Sequence, residues 1–485
     1  MANLEAHAGP LPASTDLVKF SVPLPGIGML LAAGLVLRRR PGIEILLAAG
    51  LALRLGLAFF PGFGVDIATF QSWANSLAND GPGNFYNTTS FTDYAPGYMY
   101  VLWFIGEANQ VFGFSQDQYE YILKLPSIIA DIASGYLIYR LLADQKPGVR
   151  LGATALYVFF PAALLIGPIW GQVDSILAFF LLLSVYYVGR DRPVHGAVAF
   201  TIGFLMKPQA IAALPFLAFW IIRENWGNRR TIVLCTVVPL LVMLVLITPF
   251  FEFQPWRLVV VLYDASNVAT YRVNSFWAYN FWNFGGIFEQ GFRCDLPGSC
   301  GSEQGNERAT EWFGIATRYW GLGLFTLATA AVIGSLRKAQ GTGYLALGVA
   351  LSVMAFYFFL TRMHERYVFA AFLPLVVAAA LIHSRLLWGM LVVLAVSHSV
   401  NLYHVFNYPL YTPDGAPLRW EWAYDWLETG DFFGKIPLIG DTVSRITGQL
   451  EAVQVFSIVM VVSFLVLLLA TYLRLERRPA GSEAT

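Results

Sequence analysis

The sequence is dominated by long apolar runs separated by connectors of very unequal length. Runs lie at 22–37, 43–60, 120–142, 151–169, 173–188, 195–206, 209–222, 231–249, 314–335, 342–360, 367–382, 386–400 and 454–473. Several approach the ~20 residues that carry a helix across a bilayer. In hydrocarbon the backbone must satisfy its own hydrogen bonds, so such runs fold as helices. The expected fold is therefore an all-α polytopic membrane protein with about 11–13 transmembrane helices. Only 13% of residues are charged, 57% are apolar and the mean hydropathy is +0.58. A soluble domain carries about 25% charged residues. A soluble core, a disordered chain and a disulfide scaffold are excluded on these grounds. A net charge of zero with no basic domain gives no footing for nucleic acid.

The expected organisation is a polar N-terminal tail at 1–21, one transmembrane domain at 22–473 and a short tail at 474–485. The N-terminal tail lacks the basic segment of a signal peptide, so insertion is assigned to the internal helices. Short connectors such as Arg38–Arg40, Asp144–Arg150 and Arg223–Arg230 alternate with three long loops at 61–119, 250–313 and 401–453. Lys and Arg outnumber acids more than threefold on the short-connector side, whereas the long-loop side is acidic. The positive-inside rule then puts the short connectors in the cytoplasm and the long loops outside; the expected location is the plasma (inner) membrane. Glu44, Arg54, Asp131 and Lys207 lie in or at the ends of apolar runs. Snorkelling or ion pairing is the expectation for Glu44 and Arg54.

Four clusters on the outward side carry candidate chemistry. Asp66 follows the run ending at Phe60, and Ile67, Phe70, Trp73 and Leu77 repeat at helical spacing behind it. Asp66 is expected as the N-cap of that helix. Asp93 and Tyr94 open the turn DYAPGY, which launches an interfacial helix from Tyr98 to Gln110. The tight turn IWGQVDSI brings Trp170, Gln172 and Asp174 toward an outer vestibule, with an aromatic face and hydrogen-bonding partners for a sugar. Trp170 as a membrane-interface residue beside a solvated Asp174 is an equal reading. TRMHERY packs Arg362, His364, Glu365 and Arg366 between apolar runs. Arg362 and Arg366, four apart, are expected on one helix face, where guanidinium forks bind phosphate oxygens. Lys207 and Arg272 add positive charge to the same headgroup. Cys294 and Cys300 are expected to pair in an outward loop, and no metal-ligand spacing accompanies them.

Taken in order, these segments resemble the GT-C superfamily of polyprenyl-phosphate-sugar-dependent glycosyltransferases. The likeness rests on Asp66 with the Gln71–Trp73 helix, DYAPGY, KLPSIIADIASGYLIY, IWGQVDSI, MKPQA, NSFWAYNFW and TRMHERY. The chain is similar to bacterial mannosyltransferases related to the second mannosyltransferase of GPI-anchor assembly. It also resembles dolichyl-phosphate-glucose glucosyltransferases, although those carry a longer histidine-rich motif where this chain has IWGQVDSI. The resemblance implies Asp66 as catalytic base. It also implies a donor-phosphate site at Arg362, His364 and Arg366; Lys207 and Arg272 are expected beside it on their charge alone. Asp93, Tyr94, Trp170, Gln172, Asp174 and Glu365 are then the sugar or acceptor contacts. The implied partners are a polyprenyl-phosphate-sugar donor and a glycan, lipid or protein acceptor, with no cofactor and no metal. Asp66 and the cationic cluster are expected at one extracytoplasmic cavity. The alternative class is a transporter or flippase, for which inverted repeats would be the sign; no such repeat is visible. A non-enzymatic assembly subunit would need none of the clustered charges.

Overall fold

A computed structural model describes residues 42–89, 91–252, 254–266, 272–283, 295, 311–406 and 451–476. The expected run at 22–37, the cytoplasmic Arg38–Arg40 connector and the pair Cys294 and Cys300 lie outside these residues. Most of the loop at 401–453 does too. Cys235 is a free thiol on a spanning helix.

The chain divides into two compact units. The first unit contains α1 (Ile43–Leu57), α2 (Gly64–Asp80), α3 (Pro82–Thr88), most of α4 (Pro96–Phe112), α5 (Gln116–Leu141), α6 (Pro147–Val158) and α7 (Pro161–Trp170). The second takes the start of α4, most of α8 (Asp174–Val188), α9 (Pro193–Met206), α10 (Leu214–Glu224) and α11 (Arg229–Phe251). It continues with α12 (Trp256–Ser266), α13 (Thr317–Leu336), α14 (Thr342–Phe359), α15 (Phe372–Ile382), α16 (Arg385–Phe406) and α17 (Ala452–Glu476). Among the described residues the second unit also has four two-residue strands: β1 (Ser275–Phe276), β2 (Glu311–Trp312), β3 (Ile315–Ala316) and β4 (Met363–His364).

The protein is an all-α polytopic membrane protein. Among the described residues six helices, α5, α11, α13, α14, α16 and α17, are long and apolar enough to cross a bilayer. Counting the bent pair α6 and α7 as one span makes seven. The apolar helices at Asp174–Val188, Pro193–Met206 and Phe369–Ile382 are shorter. α14 and α15 are buried along nearly their whole length, which is why their apolar residues show no amphipathic period.

Prolines explain one break inside an expected run and one break between two expected runs. The run at 151–169 bends by 43° between α6 and α7. Pro161 has no N–H, and the preceding Phe160 is pushed to extended backbone (φ −62°, ψ 121°). The second half of α7 widens into a π-helix, Leu165–Trp170, which closes on Gly171 in the left-handed region (φ 90°). At the second break Pro208 forces Lys207 to extended backbone (φ −152°, ψ 117°), and α9 stops there.

In the first unit a buried ion pair supports the first break. Arg54 Nε lies 3.1 Å from Asp131 Oδ2, and both side chains are fully buried. Arg54 also donates to the Val158 carbonyl at 2.7 Å, at the end of α6 where the helical ladder stops. Tyr157 Oη donates to Asp131 Oδ1 at 2.6 Å. Pairing is thus the outcome for Arg54, whereas Glu44 is exposed. Removing one charge strands the other. Arg54→Met is expected to destabilise the protein by about 3–5 kcal/mol. Arg54→Met combined with Asp131→Leu is expected to recover part of that loss, read as the melting midpoint in detergent.

Candidate functional site

In the first unit the candidate carboxylate sits on an elbow between α1 and α2. The expected face of Ile67, Phe70, Trp73 and Leu77 is buried as the spacing predicts. The N-cap assignment is corrected: Phe63 is the N-cap, α2 begins at Gly64, and Asp66 lies within the first turn. The helix starts early because the Phe63 N–H is already held by the Trp170 carbonyl at 3.0 Å. A carboxylate in a first turn is favoured by the partial positive charge of the helix N-terminus. Trp170 Nε1 donates to Asp66 Oδ2 at 2.7 Å, which orients the carboxylate. The structure therefore joins two of the expected residues, 104 positions apart.

IWGQVDSI is not an open vestibule turn within this unit: Trp170, Gln172 and Asp174 are each buried. Trp170 stacks on Phe63 at 5.0 Å between ring centroids. The Gln172 carbonyl accepts Ser127 Oγ at 2.6 Å. The π-helix and Gly171 turn the chain sharply enough for the indole to lie under the elbow.

Lys124, which is not among the expected site residues, organises the elbow. It is fully buried on α5, and its Nζ donates to the carbonyls of Ala58 at 3.2 Å and Phe60 at 2.5 Å and to Glu120 Oε1 at 2.8 Å. The three ammonium donors meet three acceptors. Glu120 Oε1 also accepts the Gly62 N–H at 2.5 Å. A Cβ on Gly62 would lie 2.9 Å from the Trp170 carbonyl oxygen and 2.7 Å from Ile67 Cγ1, so only glycine fits there. Its signal in the sequence is the one cation of the apolar stretch KLPSIIADIASGYLIY.

The second unit holds the cationic cluster. β4 pairs in parallel with β1, matching Phe276 with His364. Asn401 on α16 secures the chain just after β1, accepting the Tyr279 N–H at 3.1 Å and donating to the Trp277 carbonyl at 2.7 Å. Thr361–Arg366 is therefore strand and turn, not helix, and the expected shared helix face of Arg362 and Arg366 is corrected. Strand pairing wins because the backbone of this junction bonds to the 272–276 segment; the Arg362 N–H donates to the Val273 carbonyl at 3.0 Å.

Arg362, with φ at 66°, turns its fork onto Asp295: Nε–Oδ2 is 2.6 Å and Nη2–Oδ1 is 2.9 Å. Thr361 Oγ1 donates to the same carboxylate at 2.9 Å. The Arg362 fork thus has a protein carboxylate where a phosphate was expected. Asp295 is not legible as a site residue in RCDLPGSC, where the cysteine pair is the only local signal. Arg272 is tied to it through the backbone, its carbonyl accepting the Asp295 N–H at 3.1 Å. Glu365, expected at the sugar, is buried and bonds Arg366 Nη1 at 2.8 Å.

Lys207 is buried at the Pro208 break, with Nζ 5.8 Å from the Tyr94 ring centre and 5.4 Å from that of Tyr367. Tyr94 reaches it because Gly97 lets the start of α4 press on Leu205; a Cβ there would lie 2.6 Å from the Leu205 carbonyl. Asp93 is half-buried beside Tyr94. The His364 ring packs on Phe276 and Tyr367. Burial first, then the charges of Arg366 and Lys207, hold its imidazole well below the usual range. A ring held low in this way is neutral at pH 7 and offers an N–H donor rather than a charge.

This depression has a stability consequence. Unfolded His364 protonates below about pH 6.5 and the folded ring resists, so stability present above that pH is lost as pH falls. His364→Gln is expected to flatten the decline of the melting midpoint between pH 7.5 and 5.

Fold and site together define a multi-pass membrane protein with a hydrogen-bonded carboxylate on one unit and a cluster of arginine, lysine, neutral histidine and tyrosine on the other. No family model matches the chain. It is similar to "Dolichyl pyrophosphate Glc1Man9GlcNAc2 alpha-1,3-glucosyltransferase" of Arabidopsis thaliana, with 23% identity over 278 residues, covering 53% of this chain and 54% of that protein. The chain spans about half the length of that curated relative.

Proposed function

We propose that the chain is a membrane glycosyltransferase. In this reading it moves a hexose, mannose or glucose, from a polyprenyl-phosphate donor to an acceptor hydroxyl on the extracytoplasmic face of the plasma membrane. The single observation that carries the reading is the chemistry of the second unit. Lys207, Arg366 and the neutral His364 N–H gather with the Tyr94 and Tyr367 rings at a junction between apolar helices. Such a group suits a phosphate on a lipid, with ring faces beside it for a sugar. Similarity to a glucosyltransferase whose name carries a dolichyl-pyrophosphate glycan supports the class of substrate.

The proposed step is a direct displacement. The acceptor oxygen bonds to the anomeric carbon, the bond from that carbon to the phosphate oxygen breaks, and polyprenyl phosphate leaves with the electron pair. Asp66 takes the acceptor proton, and displacement by one nucleophile inverts the anomeric centre. The Trp170 bond to Oδ2 supports this role by fixing the carboxylate in one orientation. Charge growing on the phosphate is met by Lys207 and Arg366, so the step calls for no metal. Because Asp295 occupies the Arg362 fork, Arg362 is assigned to holding the junction in shape. Asp93, half-buried beside Tyr94, is the proposed sugar or acceptor contact.

The test uses purified protein in liposomes with polyprenyl-phosphate-mannose or polyprenyl-phosphate-glucose and cell-envelope acceptors. Asp66→Asn is expected to lower turnover by about 10²–10⁴-fold. Lys207→Met is expected to weaken use of the donor, read as a rise in its KM. Undiminished turnover in Asp66→Asn would reject the base. Substrate uptake into vesicles without sugar transfer would favour a transporter.

A further inference from the structure

Helix α12 has an apolar face that packing within the second unit does not use. Trp256 is 61% exposed, Val259 69%, Val260 53% and Tyr263 65%, while Leu258 is 4% exposed. At about 100° per residue these four side chains form one continuous arc. Asp264 is exposed at the edge of the arc, with half-buried Arg257 beside it. The Arg257 guanidinium lies over the ring of Phe251 at 5.6 Å, so the charge stays off the apolar face. Eleven residues make a helix about 16 Å long, too short to cross ~30 Å of hydrocarbon.

What covers this face follows from its neighbour. α11 is a 23-residue span with only 11% of its most apolar window buried in the protein, so its flanks meet lipid. It ends where Glu252 enters the left-handed region (φ 47°), and α12 begins four residues later. The exposed face of α12 therefore starts at the level where a lipid-facing span leaves the hydrocarbon. Trp and Tyr on an apolar arc, with charges at its edge, match the chemistry of the headgroup boundary.

We propose that α12 is an interfacial helix, lying in the membrane surface with Trp256, Val259, Val260 and Tyr263 set into phospholipid. The described chain resumes after α12 at Arg272 and runs within a few residues into β1, whose partner strand carries His364. The lipid seat thus anchors the segment that frames the cationic cluster, whatever reaction the cluster performs.

Two measurements on the full chain in phosphatidylethanolamine and phosphatidylglycerol nanodiscs test this. The first uses Cys235→Ser, Cys294→Ser and Cys300→Ser with Val259→Cys carrying a nitroxide. Collisions with oxygen are expected to exceed those with a water-soluble nickel chelate, and the reverse for a nitroxide at Asp264→Cys. Water-like accessibility at 259, or spin–spin broadening between copies, overturns the proposal. The second keeps the native cysteines and quenches tryptophan fluorescence with brominated lipid. Trp256→Phe is expected to lower the quenched fraction, because a lipid-facing indole is lost. A quenched fraction that is unchanged or raised means Trp256 does not face lipid and overturns the proposal.

Discussion

Lys124 brings three N–H donors into the interior of an apolar helical unit, where no bulk water is at hand to satisfy them. An ammonium left unpaired there is prohibitively costly, so the chain around it must supply acceptors. Two come from the backbone where α1 ends and the elbow begins, and the third is Glu120 one turn back on the same helix. Glu120 then fixes Gly62, and the Trp170 carbonyl fixes Phe63. The start of α2, and with it Asp66, is placed by these bonds. The satisfaction of one buried charge determines where the first unit's carboxylate stands.

The same constraint governs the second unit by different means. Its junction between α14 and α15 carries two arginines, a glutamate and a histidine, and each is disposed to avoid an uncompensated buried charge. Arg362 meets Asp295, Arg366 meets Glu365, and His364 remains neutral. The start of the junction is not helical, because the Arg362 N–H and the Met363–His364 strand pair with the 272–276 segment. A strand pair only two residues long is enough, since Asn401 holds the chain that follows it.

Proline and glycine act as the joints of both units. Pro161 and Pro208 break helices where Arg54 and Lys207 respectively stand, and in each case a cation occupies the position that the break makes available. Gly62 and Gly97 allow backbone to approach backbone more closely than a Cβ permits. Polar groups concentrate where the regular helix stops, as expected when unpaired carbonyls and close approaches accumulate at helix ends.

The amino-acid sequence alone determined the membrane class and most helix positions, because apolar runs and proline breaks act locally on the backbone. It also determined the buried face of α2, since Ile67, Phe70, Trp73 and Leu77 repeat at the helical period. Tertiary structure alone decided which charges are partners. Trp170 and Asp66 are 104 residues apart, Asp295 and Arg362 are 67 apart, and Arg54 and Asp131 are 77 apart. No periodicity reports such distances. The helix expected for Arg362 and Arg366 failed for the same reason: a distant strand supplied hydrogen bonds that outweighed local spacing. Side-chain chemistry was legible in the order of residues, but its neutralisation was not, because a charge is answered by whatever the folded chain brings within hydrogen-bonding reach.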